Sequence, residues 1–317
     1  MPLTNMWTDP VAVRVALDHL GSLAVPDGPL GSRTTYRVGG PAAVLATVEG
    51  VTDLQKVAAA AMASGLPTLP VGRGSNLLVA DRGFEGIAVV LGEGMAEITI
   101  CDKGTVVAGG STSLPVLARR TVAAGLTGME WAVGVPGSVG GAVRMNAGGH
   151  GSDTSRLVRS ARLVSLETGE ITTLGAGEFG FGYRSSMLSD SDVIVSATFQ
   201  LQAADDREPE RGAAELTDIV RWRRENQPGG QNAGSVFVNP AGESAGALVE
   251  SLGLKGHRIG SAEVSGKHAN FIQADEAGSA DDVRALMIDV ANRVRRELGI
   301  ELHTEIRTIG FVNEGES

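Results

Sequence analysis

Apolar positions along the chain keep two rhythms. Between residues 52 and 65 they recur every three or four places (Leu54, Val57, Ala58, Ala61, Met62), which predicts a helix. Thr52-Asp53-Leu54-Gln55 ahead of it has capping-box spacing, and Gly65 and Pro67 end it. The short apolar runs 68–71 and 77–80 predict strands on either side of the loop Gly72-Arg73-Gly74-Ser75-Asn76, and 87–91 reads as a third strand. Together they predict a compact βαββ-like unit. From about residue 93 short β-rich runs follow at 105–108, 161–166, 171–174 and 193–201, with one helix over 113–124. Glu167-Thr168-Gly169-Glu170 predicts a hairpin turn between the second and third of these runs.

The stretch 203–212 is polar and charged and reads as a linker. Beyond it come a helix rich in Arg and Glu, a Gly/Gln/Asn loop at 227–234 and a helix over roughly 243–252. The last helix, 280–298, sets Val283, Leu286, Met287, Val290 and Val294 on one face and ends at Gly299. The final run, 306–311, alternates like a strand, and no segment repeats another. The class these elements predict is α+β or α/β with mixed sheets, in three pieces. A length of 317 residues also favours two or three cores over one.

Composition narrows the chemistry. The 44 glycines gather at short turns between apolar runs, where backbone can approach another group closely. A net charge of −10 without a Lys/Arg tract argues against nucleic acid. One cysteine, Cys101, excludes an internal disulfide and a cysteine zinc cluster; its alternating surroundings predict a small core or strand residue. With five histidines as well, no metal site is expected. The N-terminus Met1-Pro2-Leu3-Thr4-Asn5 lacks the pattern of a signal peptide, and no apolar run approaches the ~20 residues that span a bilayer. A soluble, cytoplasmic protein is the expectation.

Familiar fingerprints are missing. Gly72-Arg73-Gly74-Ser75-Asn76-Leu77 lacks the third glycine and the following helix of a Rossmann site, and Gly266-Lys267-His268 is not a Walker loop. What remains is four loops rich in backbone N–H donors: Gly39-Gly40, Gly72–Asn76, Gly109–Ser113 and Gly134–Gly141. Such loops can wrap a pyrophosphate through main-chain amides, so the residues alone point to a dinucleotide-type ligand on a non-Rossmann fold. Any one of them taken singly reads as a turn.

Taken in order, the loops resemble one family. Thr34-Thr35-Tyr36-Arg37-Val38-Gly39-Gly40-Pro41 is followed by Gly72-Arg73-Gly74-Ser75-Asn76-Leu77-Leu78-Val79 and by the run from Gly134-Val135-Pro136-Gly137-Ser138 to Arg144-Met145-Asn146-Ala147-Gly148. Phe181-Gly182-Tyr183-Arg184-Ser185-Ser186, Asn232-Ala233-Gly234-Ser235-Val236-Phe237-Val238-Asn239-Pro240 and Gly253-Leu254-Lys255-Gly256 come next. Ser265-Gly266-Lys267-His268-Ala269-Asn270-Phe271 and Glu305-Ile306-Arg307-Thr308-Ile309-Gly310 complete the set. The chain resembles the UDP-N-acetylenolpyruvoylglucosamine reductases, the MurB family, within the PCMH-type FAD-binding proteins.

The resemblance implies a PCMH-type fold of two α+β subdomains with FAD between them and a third, α/β, substrate-binding domain. The boundaries it implies are 1–92, joined by a returning strand in 301–317, then 93–205 and 206–300. It also implies a two-step reaction in peptidoglycan precursor synthesis: NADPH reduces the flavin, and flavin N5 then passes hydride to the enolpyruvyl group of UDP-N-acetylglucosamine enolpyruvate. Hydride at the far alkene carbon pushes negative charge onto the carbon beside the carboxylate, and donors must be aimed there. Arg184 matches the family's active-site arginine, with a two-donor fork for that dianion. Glu305 matches the catalytic glutamate, protonated or sharing a proton, and Ser235 the proton donor. A hydroxyl is a poor acid, so hydrogen-bonding neighbours or the enolate's own charge must assist it. Outside this motif set Arg184 would read as a surface ion-pair residue, Ser235 as a turn or N-cap residue and Glu305 as solvated.

For FAD the resemblance implies Tyr36, Arg37, Val38, Gly39, Gly72, Arg73, Gly74, Ser75, Asn76, Gly109, Ser111, Gly134, Pro136, Gly137, Ser138, Gly141, Ala142, Asn146 and Ile194. For substrate or nicotinamide it implies Tyr183, Arg184, Asn239, Lys267, His268 and Asn270, although His268 reads equally as a buried, satisfied histidine. Some relatives carry a tyrosine-bearing lid after the Tyr-Arg pair. Here no tyrosine stands between Arg184 and the strand at 193, which marks the shorter subtype. A lysine that relatives place upstream of Ala233-Gly234-Ser235 is also missing, leaving Arg223 or Arg224 for an anionic ligand. The partner expected is a small UDP-sugar, with neither nucleic acid nor membrane, and the expected state is a monomer. Two other readings stay open: a different PCMH-type FAD-linked oxidoreductase, and a flavin module without chemistry. No His or Cys near the first glycine loops offers the flavin tether common in the former, and retention of Arg184, Ser235 and Glu305 argues against the latter.

Overall fold

Proline at a first helical position and aspartate just before it open the described chain. Asp9 accepts from the Val11 N–H at 2.9 Å and starts helix α1 (Pro10–Leu20). The computed structural model describes residues 9–204 and 208–311; the extreme N-terminus, the middle of the expected linker and the last six residues of the expected 301–317 return lie outside the described residues. α1 packs on α2 (Val51–Ser64), which ends at left-handed Gly65. α2 starts earlier than its capping-box spacing predicts. Extended Gly50 is the N-cap, so Thr52 falls inside the first turn, and Asp53 reaches back to the Glu49 N–H at 3.1 Å.

These helices cover a four-stranded sheet in the order β1-β2-β5-β3, made of β1 (Ala24–Gly28), β2 (Ala42–Val48), β3 (Thr68–Val71) and β5 (Phe84–Leu91). The intervening strand β4 (Leu77–Val79) departs from the expected βαββ unit. It leaves the sheet and pairs in parallel with the C-terminal strand Arg307–Ile309, Arg307 lying opposite Leu77 and Ile309 opposite Val79. That pairing sets Glu305 beside the first glycine loop: Asn76 Nδ2 donates to the Glu305 carbonyl at 3.1 Å, and the Arg307 N–H donates to the Asn76 carbonyl at 3.0 Å.

The second unit is a five-stranded sheet of β6 (Ile98–Ile100), β7 (Thr105–Gly109), β8 (Val158–Ser165), β9 (Ile171–Gly175) and β10 (Asp192–Gln200), antiparallel throughout in the order β9-β8-β10-β7-β6. Gly169 turns the β8–β9 hairpin at positive φ, as its sequence predicts. Helices α3 (Leu114–Ala123) and α4 (Val139–Met145) bury Leu114, Leu117, Val139 and Val143 against Ile194 and Phe199. Cys101 follows β6 and is exposed, not a core residue. Helix α5 (Glu208–Asn226) begins inside the expected linker and buries Ile219 in this second core, although its residues fall within the expected third domain.

The third core begins at Ala233 and Val236. It holds α6 (Ala245–Ser251), a small antiparallel sheet of β11 (Arg258–Ile259), β12 (Ala262–Val264) and β13 (Ile272–Ala274), and the apolar face of α7 (Ala280–Leu298). α7 buries Val283, Leu286, Met287, Val290 and Val294 and ends at left-handed Gly299, as its periodicity predicts. Asp81 of the first unit accepts from the Ala280 N–H at 2.9 Å and so caps α7 from outside. Tyr36, Val38 and Leu78 of the first unit also pack into this core. Among the described residues no helix is long and apolar enough to cross a membrane.

Candidate active site

Two glycine loops from different units face one another across a cavity of about 620 Å³. Gly72–Asn76 lines one side and Gly134–Ser138 another. A methyl at Gly72 would stand 2.5 Å from Ser138 Oγ, and left-handed Gly74 lies against the Arg33 carbonyl, so neither position has room for a side chain. Ser138 is itself fixed, accepting from the Gly141 N–H at 3.3 Å to cap α4. A second cavity of about 250 Å³, lined by Arg33, Gly72, Arg73, Val90, Leu91, Glu93 and Ser111, shares Gly72 and Arg73 with the first. Two chambers joined at a loop of bare amides fit a ligand with two heterocyclic ends and a pyrophosphate between them, and FAD has that form.

The third unit closes the far wall. Arg184 sits in a tight turn whose ends, Gly182 and Ser185, exchange backbone bonds at 3.1 and 3.4 Å, and its own φ is +54°. Asn146 holds that turn by donating to the Gly182 carbonyl at 2.9 Å. Further along the loop, Asp190 pairs with Arg307 at 2.7 Å and with Arg144 at 3.7 Å. Arg184 Nε meets Glu305 Oε1 at 3.2 Å. Burial pushes the Glu305 carboxyl above its ordinary range, although the Arg184 charge pulls the other way.

Ser235 stands in the loop after Gly234 (φ +81°) and shares the cavity with Arg184 and Glu305. Its loop is tied to the glutamate's strand, the Glu305 N–H donating to the Val236 carbonyl at 2.8 Å. The Asn270 amide clamps the same loop, accepting from the Phe237 N–H at 2.9 Å and donating to the Phe237 carbonyl at 2.8 Å. Arginine, carboxyl and hydroxyl therefore converge through backbone bonds that belong to three separate segments.

Of the expected cofactor positions, Gly72–Asn76, Gly134, Pro136, Gly137, Ser138, Gly141 and Ala142 line the large cavity, and Ser111 lines the small one. Tyr36 and Val38 lie in the third core, with the Tyr36 hydroxyl buried and unpaired among the described residues. Arg37 is exposed, and Gly39 and Gly109 are glycines because backbone carbonyls of Val79 and Met95 cross them. Asn146 caps α4 at φ +42°, and Ile194 is buried beneath that helix. None of these seven lines either cavity.

Tyr183, Asn239 and Asn270 line the large cavity, whereas Lys267 and His268 stand outside it. Lys267 Nζ donates to the Arg224 carbonyl, and the His268 ring packs edge-on against Phe271 with centroids 4.9 Å apart. Burial lowers the His268 pKa, as suits a histidine packed among its neighbours. Arg223 lines the cavity and Arg224 does not. Sequence reasoning passed over Arg144, His150, Trp222, Asn232 and Arg307, which also line it. Arg307 had a signal, since residues two apart on a strand share a face with Glu305. Trp222 had none, because it reads as an ordinary helix surface position.

Comparison with known proteins agrees with this architecture. An FAD binding domain model matches residues 42–175, the span that supplies both glycine loops, and the fold is the PCMH-type FAD-binding fold of an FAD-dependent oxidoreductase. A second model, the UDP-N-acetylenolpyruvoylglucosamine reductase C-terminal domain, matches residues 226–309. A reductase of that name from Synechococcus sp. is 43% identical over 293 residues, covering 89% of this chain and 92% of its own length. Another, from Bacillus thuringiensis subsp. konkukian, is 41% identical over 287 residues, covering 90% and 94%. The crystal structure of the enzyme from Thermus caldophilus matches with TM-score 0.76 and 33% identity over 90% of this chain and 98% of that one. The chain belongs to the UDP-N-acetylenolpyruvoylglucosamine reductase family.

Proposed function

We propose that the chain reduces the enolpyruvyl ether of UDP-N-acetylglucosamine to UDP-N-acetylmuramate, for peptidoglycan synthesis, with NADPH as reductant. FAD, when bound, would supply the hydride chemistry that links NADPH to the alkene. Gly72–Asn76 and Gly134–Ser138 would hold it, with Arg33 and Ser111 at its other end.

The chain's own work is the proton and the developing charge. Ser235 gives its proton to the carbon beside the substrate carboxylate. An isolated hydroxyl is far too weak an acid at neutral pH, so the driving force is the basicity of the enolate that forms next to it. Arg184 stabilises that enolate with guanidinium donors not engaged by Glu305. Burial raises the Glu305 carboxyl above its ordinary range, so it takes up a proton more readily there, and in that form it donates a hydrogen bond where negative charge grows. Arg223, half-buried in the cavity wall, faces the substrate's anionic diphosphate.

The observation that carries this reading is the convergence of Arg184, Glu305 and Ser235 in the cavity that the two glycine loops also line. Ser235→Ala tests it. The variant is expected to keep its yellow flavin and to bleach with NADPH at the wild-type rate. Recovery of colour on adding the enolpyruvyl substrate should slow by roughly 10²–10⁴-fold, the span general-acid catalysis contributes. Unchanged recovery would remove Ser235 from the mechanism.

A further inference from the structure

Trp222 is a large aromatic left nearly half exposed (46%) on the last turns of α5, where it forms part of the cavity rim. It is not alone there. The His150 imidazole meets it edge-on, centroids 5.3 Å apart and planes at 87°. His150 is held by the backbone in a left-handed conformation, φ +50°, within the glycine run Gly148–Gly151, a state that costs any residue bearing a Cβ. Its ring lies over the cofactor loop, since a methyl at Gly134 would stand 3.3 Å from His150 Nε2. The layer therefore runs from Gly134 through His150 to Trp222. One residue beyond Trp222, the Arg223 guanidinium lines the same cavity, donating through Nε to Gln227 at 2.8 Å. Among the described residues no carboxylate pairs with it. The chain's two tyrosines are Tyr36, which is buried, and Tyr183, on the loop that carries Arg184.

We infer that Trp222, braced by His150, is a stacking shelf at the cavity mouth for the planar heterocycle of a pyrophosphate-bearing nucleotide whose phosphates face Arg223. Two sources carry that chemistry, the UDP-sugar and the nicotinamide cofactor, and the inference rests on the reaction proposed above. An aromatic face accepts either ring without reading its edges, so affinity and not chemical rate is what the shelf supplies.

The test uses the FAD-loaded protein and the variants Trp222→Ala and Trp222→Phe, whose exposed position spares the core. Binding of UDP and of NADP⁺ is titrated separately by calorimetry, which needs no turnover. KM for each substrate is measured beside kcat. Trp222→Ala is expected to weaken one of the two nucleotides by about 10-fold, the effect of losing one base–aromatic stack. The corresponding KM should rise as much, with kcat within about twofold and Trp222→Phe close to wild type. Weakening of UDP alone identifies the uracil as the occupant, and weakening of NADP⁺ alone identifies the cofactor's ring. If wild type binds both and Trp222→Ala binds both equally well, the shelf is refuted while the reaction stands. If wild type binds neither, the substrate assignment falls and the shelf with it.

Discussion

Replacing Glu305 with glutamine should make the protein more stable at neutral pH while leaving part of its activity. The side chain is largely enclosed, 20% exposed against 24% for Arg184, with 3.2 Å between Nε and Oε1. At that distance the gross attraction is roughly 5 kcal/mol for an effective dielectric of about 20. Burial nonetheless holds the carboxyl above its ordinary pKa, so desolvation of the anion outweighs the arginine. The net cost is a difference of two larger quantities. A gain of about 1 kcal/mol is the scale expected from relieving a functional site, which is an upward shift of roughly 2–4 °C in a protein of this size.

The pH dependence carries the sign. A carboxyl whose folded pKa is raised contributes stability that is fully present below its unfolded value of 4.5 and is lost as pH rises through the folded pKa. Glutamine lacks that dependence. The melting temperature of Glu305→Gln minus that of wild type, both at the same FAD concentration, should be smallest near pH 4 and grow towards pH 8. Turnover should fall by less than the roughly 10²–10³ lost with a whole donor, because the glutamine amide still donates at that point. A difference that stays flat with pH, or a variant less stable than wild type at pH 8, would refute the account of Glu305 as a carboxyl strained by burial.

Two further substitutions test the scaffold. Gly72→Ala places a methyl against Ser138 Oγ; moving that hydroxyl breaks its bond to the Gly141 N–H, a cap of the kind that contributes about 1 kcal/mol. FAD affinity, read by fluorescence of released flavin, should fall by about 10-fold, and wild-type affinity would show that the loop does not approach the cofactor. Leu286→Ala empties a fully buried position on α7 and should cost about 2–5 kcal/mol in denaturant unfolding, with a loss under 1 kcal/mol contradicting the packing described here.

Much of the local structure was legible because it follows from periodicity within a few residues. The short runs at 68–71 and 171–174 and the apolar face of 280–298 each fall on an observed element. The failures have one physical character. Gly50 starts α2 ahead of Thr52 because an extended glycine needs no side chain to begin a helix, and nothing in the capping-box spacing registers that. Cys101 sits in an alternating run that ends one residue before it, so the rhythm overstates its burial. α5 packs on the second core through Ile219 with Leu216 partly buried beside it, two positions that the surrounding Arg and Glu residues mask.

The candidate site shows the same divide more sharply. From their pattern alone the glycine loops could be read as places where side chains are unwelcome, and only the family resemblance put them around one cofactor. What assembles the site is the parallel pairing of β4 with the strand Arg307–Ile309, between segments about 230 residues apart. A parallel pair that distant leaves no turn, loop length or hairpin signal in the sequence. Yet the position of Glu305 depends on it. The Asn76 carbonyl accepts from the Arg307 N–H, Asn76 Nδ2 donates to the Glu305 carbonyl, and the Glu305 N–H in turn donates to the Val236 carbonyl next to Ser235. A residue of the cofactor loop therefore sets the register of the strand that presents the carboxyl, and that strand sets the loop that presents the hydroxyl. Carboxyl and hydroxyl are thereby tied through the backbone to the glycine loop that lines the same cavity, and Arg184 joins them through its pair with Glu305. That arrangement is what a reaction needs when hydride and proton must arrive on adjacent carbons of one alkene.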